Sequence, residues 1–392
     1  MPGRITHRTN RGGASGPDFG WTPPYSLPAV GQAVAIGTND AMDVAPTAEG
    51  WTTGAWDYGC FGSYGGGTLL PQWSDGGAYV IAGSGGHNHP DNTGALLFDF
   101  ATATWSRRDN ANGAPRKPTT PHSYSDGELS GAPWWEITGY TEVPAPAHPY
   151  AQLVPAALGA QGSVLYIGRS AVGTGANASP RVHRFDMATR LWSRQSAGAF
   201  TTMSNGEVDA LWDATRNRYW LIPNNPHSYQ IVEYLDAADW QIKSIGGFGF
   251  PPGAIAGAFR CFLHGGLIVR QCGASGLYAI DPDVPAAGWI ALTSSGTQPS
   301  PANRFARFGS GGYYWLPTGG GNTLTRLVAP ANPKTGTWVF STVAVTGATL
   351  PAYTPASGGG VDHYTGLFYV PSINCLAWVP GSDKSVFLVR PE

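Results

Sequence analysis

Apolar residues in this chain fall into short runs separated by turn-forming text, and the runs return at a near-constant interval. One copy reads Ala78-Tyr79-Val80-Ile81-Ala82, then Gly85-Gly86-His87, then Leu96-Leu97-Phe98-Asp99, then Trp105. The next has Val164-Leu165-Tyr166-Ile167-Gly168, Phe185-Asp186 and Trp192. Short apolar runs bounded by Gly, Asn and Asp are strand signals, and nothing here keeps the i, i+3, i+4 spacing of an amphipathic helix. Trp192, Trp240, Trp289 and Trp338 follow one another at 48 or 49 residues, and a further 49 reaches Phe387. A strand-turn-strand repeat of that length predicts an all-β chain folded as a β-propeller of four-stranded antiparallel blades.

Within each repeat the strands are named a to d from the axis outward. Residues 79–82, 164–167, 218–222, 266–269, 313–316 and 367–370 read as strand b. Strand c carries Phe98-Asp99, Phe185-Asp186, Leu235-Asp236 and Ile280-Asp281, and strand d begins at the Trp. The aspartate is expected to accept backbone amides of the c–d turn, and Trp105, Trp192, Trp240, Trp289 and Trp338 to sit buried at equivalent places between blades. One interval breaks the period, the 87 residues from Trp105 to Trp192. Read as a long loop, residues 106–151 leave six blades, the preferred count; read as a degenerate blade, they make seven.

Residues 1–45 lack the repeat and begin basic, with Arg4, Arg8 and Arg11 before the first acid, Asp18. The expected division is an extended N-terminal arm over 1–45 and a propeller over 46–392. An arm of this Gly- and Pro-rich text stays ordered only when held by the ring's flank or by a neighbouring chain. Other subunits of an assembly are therefore an expected partner.

Composition narrows the function classes. Charged residues are 12% of the chain, about half the usual share. With 55 Gly and 33 Pro the text is hostile to helices, while 15 Trp, 17 Tyr and 15 Phe supply ample apolar area. A net charge of -2 argues against nucleic acid as a partner. Cys60, Cys261, Cys272 and Cys375 form no CxxC pair, so they read as small buried hydrophobes, although Cys261 and Cys272 could pair if oxidised. No stretch has the length of a transmembrane helix, and Met1–Arg8 lacks the apolar core of a signal peptide. The expected origin is cytoplasmic synthesis, with any action outside the cell reached by another route.

Strand alternation alone puts the b–c and d–a connections on one face of the disc. His87 and His89 fall in the first b–c connection, and His122, Tyr124, His148 and Tyr150 in the long d–a insertion. Arg169 borders the second b–c connection, and His227 and Tyr229 lie in the third, where Pro226-His227-Ser228-Tyr229 repeats Pro121-His122-Ser123-Tyr124. Arg pairs with a carboxylate or sulfate, and aromatic faces stack on sugar rings, so this set suits an acidic glycan. It also suits β-elimination, with Tyr or His as base and His or Arg neutralising the carboxylate. His87 and His122 are the candidate catalytic residues; the other seven are candidate ligand contacts. His87-Asn88-His89 is too sparse for a metal site, so neither metal nor cofactor is expected.

Gly85-Gly86-His87, followed by Asn92-Thr93-Gly94, Phe98-Asp99, Ala101-Thr102 and Trp105, resembles a kelch-type repeat. More narrowly it is similar to propellers related to ulvan-type polysaccharide lyases and their phage-encoded relatives, with His122-Ser123-Tyr124 approximating a later His-Thr-Tyr motif of that group. The chain departs from them at Asn88-His89-Pro90-Asp91, where they have an Asp-Tyr after the His. The resemblance implies two function classes. One is a virion or tail-associated propeller, glycan-directed or structural, that meets the outside after lysis without inserting in a membrane. The other is a polysaccharide lyase acting on acidic glycans.

Overall fold

The computed structural model describes residues 20–45, 47, 61, 66–82, 94–109, 111, 153–168, 181–195, 208–223, 231–249, 251, 261–272, 275–300, 304–309, 311–317, 319–353 and 366–392. They form six antiparallel sheets, the blades of a ring. The first strand in the chain, β1 (Gln32–Ile36), belongs to the last blade. Blade 1 is β2 (Thr68–Leu70), β3 (Ala78–Ala82), β4 (Ala95–Asp99) and β5 (Thr104–Arg108). Blade 2 is β6 (Leu153–Ala156), β7 (Ser163–Gly168), β8 (Arg181–Asp186) and β9 (Leu191–Arg194). Blade 3 is β10 (Val208–Asp213), β11 (Arg218–Pro223), β12 (Ile231–Asp236) and β13 (Ile242–Gly247). Blade 4 is β14 (Cys261–His264), β15 (Leu267–Gln271), β16 (Leu277–Ile280) and β17 (Ile290–Leu292), and β18 (Ser294–Ser295) follows. Blade 5 is β19 (Arg304–Arg307), β20 (Tyr313–Leu316), β21 (Thr323–Val328) and β22 (Trp338–Ala344), and β23 (Thr346–Gly347) follows. Blade 6 takes β24 (Leu367–Val370), β25 (Cys375–Trp378) and β26 (Val386–Arg390) from the end of the chain. The first strands of the blades gather around the axis, with β24 beside β2, so the ring is closed.

The closure joins the two ends of the chain. β1 runs antiparallel to β26, from Gln32 opposite Arg390 to Ile36 opposite Val386, and is strand d of blade 6. This corrects the division expected at residue 45, because part of the arm is ring. It also corrects the last repeat: residues 367–370 are strand a, not b, and Phe387 lies on strand c rather than d. The repeat count misled because the chain stops after strand c and borrows d from its beginning. Trp21, Tyr25 and Leu27 pack against the core between blades 6 and 1, and the Tyr25 hydroxyl donates to Phe100 O at 2.8 Å. The arm from residue 20 onward thus folds back on its own ring.

A strand edge with free N–H and C=O groups recruits partners. Here the chain leaving one blade covers the outer edge of the next. β18 lies parallel to the start of β22, and β23 lies parallel to β1. Thr38 N donates to Ala103 O at 3.0 Å on blade 1, and Ala111 N to Arg190 O at 2.9 Å on blade 2. The Asn39 side chain imitates a strand by exchanging two bonds with the backbone of Trp105, at 2.8 and 3.0 Å.

The core lies between blades. Trp105, Trp192 and Trp338 are buried there, while Trp240 and Trp289 are half-buried. Trp105 faces Phe98 and Trp192 faces Phe185 across the c–d ladder, and Trp289, one residue before the Ile290–Ala279 pair, packs against the cluster that contains Ile280. The expected equivalence fails for the other two. Ile242, not Trp240, stands opposite Leu235, and Phe340, not Trp338, stands opposite Leu327. Trp240 sits in the turn at φ 57°, matching Ala103 at 54° and Arg190 at 60°. Residues two apart share a strand face, so a Trp count cannot separate the two positions.

The aspartates do cap the c–d turns. Ala101 N donates to Asp99, Ala188 N and Thr189 N to Asp186, Ala238 N to Asp236 and Asp283 N to Asp281, all within 3.0 Å. The a–b turn of blade 4 is the tightest: Gly265 and Gly266 both have positive φ, 55° and 81°, as a two-residue hairpin turn that matches strand twist requires.

Candidate functional site

Antiparallel alternation sorts the connections by face. Short a–b turns (71–77, 157–162, 214–217, 265–266, 308–312, 371–374) and c–d turns (100–103, 187–190, 237–241, 281–289, 329–337) share one face, the turn face. The mouth face takes the b–c connections 83–94, 169–180, 224–230, 272–276, 317–322 and 379–385. It also takes the d–a connections 37–67, 109–152, 195–207, 248–260, 296–303 and 348–366. All the longest connections belong to the mouth face. Loops set on a rigid scaffold are where binding residues concentrate.

All nine candidate residues fall in mouth-face connections. His87 and His89 belong to 83–94, His122, Tyr124, His148 and Tyr150 to 109–152, Arg169 to 169–180, and His227 and Tyr229 to 224–230. All nine lie outside the described residues.

The rim from which these connections spring is described, and sequence reasoning missed its polar content. Asp209 near the start of β10, Cys261 at the start of β14, Arg270 and Gln271 at the end of β15 and Arg304 at the start of β19 all stand at mouth-face strand ends. All are buried, Arg270 to 1% exposure and Arg304 to 6%. Buried charge costs heavily unless bonded. Arg270 Nη1 donates to Pro223 O at 2.8 Å, tying blade 4 to blade 3. Cys261 N donates to Asp209 Oδ2 at 2.9 Å across the same seam, and Gln271 Nε2 reaches Pro299 O at 3.2 Å. Burial and the Asp209 carboxylate push the Cys261 thiol well above its ordinary range, against the opposing pull of Arg270. A thiol in that setting is inert. The rim therefore acts as a stiff frame, with charged groups holding strand ends where loops depart. The signal was legible as an arginine inside the apolar run Leu267-Ile268-Val269-Arg270.

Two histidines are described. His183 is buried at 1% exposure on β8. His264 ends β14 on the turn face, half-buried. The Tyr313 hydroxyl donates to Leu263 O at 2.9 Å and lies 3.1 Å from His264 Nδ1, so Nδ1 carries the proton and donates in return. Burial, then the Arg307 guanidinium, pull the His264 pKa down and favour the neutral ring. Burial pushes Tyr313 up to about 12. With the His264 ring edge-on to Trp338 at 5.1 Å, this trio clamps the two-glycine turn of blade 4 onto blade 5. It is chemistry of the right kind on the wrong face, and its hydroxyl proton is already committed to a carbonyl.

Among the described residues no group of three or more His, Cys, Asp or Glu is placed to hold a metal ion, and no helix is long and apolar enough to cross a membrane. The class defined by this architecture is a six-bladed β-propeller closed by its N-terminal strand, with its long connections on one face. No protein-family model matches the chain, and no curated protein matches it.

Proposed function

We propose that this propeller is a glycan-directed component of a phage-like particle, with the mouth face as an acidic-glycan binding surface. The observation that carries the reading is the asymmetry of the ring. Long connections, which carry the nine candidate residues, belong to one face; short Asp-capped turns occupy the other. A stiff frame on the mouth side, built on Arg270 and Asp209, supports such loops at low entropic cost on binding. Residues 1–19, with Arg4, Arg8 and Arg11, are in this reading the part that meets neighbouring subunits.

The test is a panel of uronic-acid and sulfated polysaccharides, measured for binding at rising ionic strength. Binding weakens with salt, because exposed charge pairs are screened over about 10 Å at 0.1 M. Arg169→Gln and His227→Ala weaken it further at every salt. If the panel shows no binding while the protein melts cooperatively, the glycan reading is wrong. The lyase-like pairing of His87 with His122-Ser123-Tyr124 favours a second reading, polysaccharide β-elimination. Unsaturated ends absorbing in the near ultraviolet, abolished by His122→Ala, would establish it. Binding without product leaves the first reading.

A further inference from the structure

We propose that the seam between blades 6 and 1, on the turn face, is a peptide-binding site, filled within one chain by its own residues 21–28 and open to the same segment of a second copy. Reciprocal exchange of this strap links the two copies. The site lies on the opposite side of the ring from the nine mouth-face candidates and is independent of glycan binding.

Residues 21–28 read Trp-Thr-Pro-Pro-Tyr-Ser-Leu-Pro. Proline fixes its own φ, lacks an N–H and biases the residue before it to extended backbone. Pro23, Pro24 and Pro28 therefore preset an extended strap that is poor in ladder donors. Trp21, Pro23, Tyr25 and Leu27 are half-buried and Pro28 is buried, while Thr22, Pro24 and Ser26 are exposed. Trp21, Tyr25 and Leu27 pack against the core cluster shared by blades 6 and 1. The Tyr25 hydroxyl donates to Phe100 O at 2.8 Å, in the c–d turn of blade 1. Burial, then Cys375 of blade 6 and Asp99 of blade 1, push that hydroxyl above its ordinary range, in keeping with a seat between the turn-face ends of both blades.

Side chains alone hold the strap. Among the described residues, no backbone group of 21–28 bonds to the ring, whereas β1 is locked to β26 by a five-residue ladder. Trp21 Nε1 is buried with no hydrogen-bond partner among the described residues, so release breaks no bond there. Strap and strand meet at a turn: Gln32 N donates to Ala29 O at 3.0 Å, Gly31 stands at φ 76°, and Val30 is 60% exposed. Rotation in that turn moves the strap and leaves β1 in place. Eight extended residues span about 26–29 Å, enough to reach a touching copy. Every copy carries the same seat and the same strap, so reciprocal exchange rebuilds each contact and costs little beyond association. That identity makes a second copy the occupant. Within one chain the tether keeps the strap at an effective concentration of about millimolar, so exchange needs crowded copies.

The experiment follows a fluorescein-labelled peptide of residues 18–30 by anisotropy as it binds the full chain and full-length Trp21→Ala. Wild type binds it saturably but weakly, because its own strap competes. Trp21→Ala binds it about 10-fold more tightly, since the competitor has lost its largest apolar contact. A Tyr25→Phe peptide binds either protein about 5- to 10-fold more weakly, the scale of one hydrogen bond. Should Trp21→Ala not melt cooperatively, full-length Tyr25→Phe takes its place in the comparison. Sedimentation tests the occupant: wild type forms dimers as its concentration rises towards about millimolar, and excess unlabelled peptide dissolves them. No peptide binding to either protein, equal affinity of the two proteins or equal affinity of the two peptides would overturn the site. Peptide binding with no dimer, or dimers that the peptide leaves intact, would overturn the second copy as its occupant.

Discussion

Removing residues 1–36 should open the ring. The deletion takes away β1, whose Ala33 and Ile36 are buried and whose five residues pair with β26. It also removes the acceptors for Thr346 N at Gly31 O and Ala348 N at Ala33 O, both at 2.9 Å. Burying Ile36 is worth about 2–3 kcal/mol, with about 2 more from Ala33 and half-buried Val34. Six to eight ladder bonds at a net ~1 kcal/mol each bring the gross loss to about 10–12 kcal/mol. Freeing five backbone residues returns about 5–10 kcal/mol. At mid-range values the net cost is about 4 kcal/mol, within a span of about 0–7 kcal/mol, against the 5–15 kcal/mol that holds a typical domain. Urea unfolding followed by Trp fluorescence measures it. A deletion of 1–19, which keeps β1 and the Trp21, Tyr25 and Leu27 contacts, serves as the control and should stay within about 1 kcal/mol of the full chain. If the 1–36 deletion unfolds at the same midpoint as the control, β1 is not the closure and the reasoning fails.

Three further outcomes follow from the same structure. Trp338→Ala should cost about 3–5 kcal/mol by opening a cavity between blades 4 and 5, read by denaturant melts. A near-neutral result would show that Phe340 alone fills that seam. Asp213 has its pKa lowered: burial raises it, but hydrogen bonds from Trp220 and Arg216 outweigh that. Its contribution is complete above the ordinary aspartate range near pH 4 and is lost as pH falls through the lowered folded value, so Asp213→Asn should flatten acid unfolding below about pH 4. An unchanged acid limb would deny it that role. His264 likewise has a depressed folded pKa, so its contribution is complete above about pH 6.5 and declines as pH falls through the folded value. An NMR titration should place it below the model-histidine midpoint, and Arg307→Gln should raise it; no movement in that variant would remove Arg307 as a cause.

The sequence carried the architecture wherever the repeat is a property of neighbouring residues. The Phe98-Asp99 and Phe185-Asp186 pairs were readable because an Asp before a tight turn has one obvious use, accepting that turn's amides. The assignment of β1 was not readable, because Gln32–Ile36 has no repeat partner nearby in the chain; its partner is β26, at the opposite end. Trp240 and Trp338 misled because spacing is blind to which of two same-face residues meets the neighbouring blade. For the site, alternation assigns the connections that carry the candidate residues to one face, and those residues themselves lie outside the described ones. It could not reveal Asp209, whose role depends on seams between blades, and Arg270 shows in the sequence only as an arginine ending an apolar run.

Hydrogen exchange of the whole chain, with and without an acidic oligosaccharide, compares the two faces in one experiment. The glycan reading expects added protection in segments 83–94, 169–180 and 224–230. The turns 214–217, 265–266 and 308–312 should exchange unchanged. Protection confined to the turn face, around His264 and Arg307, would contradict the assignment of the mouth face as the binding surface.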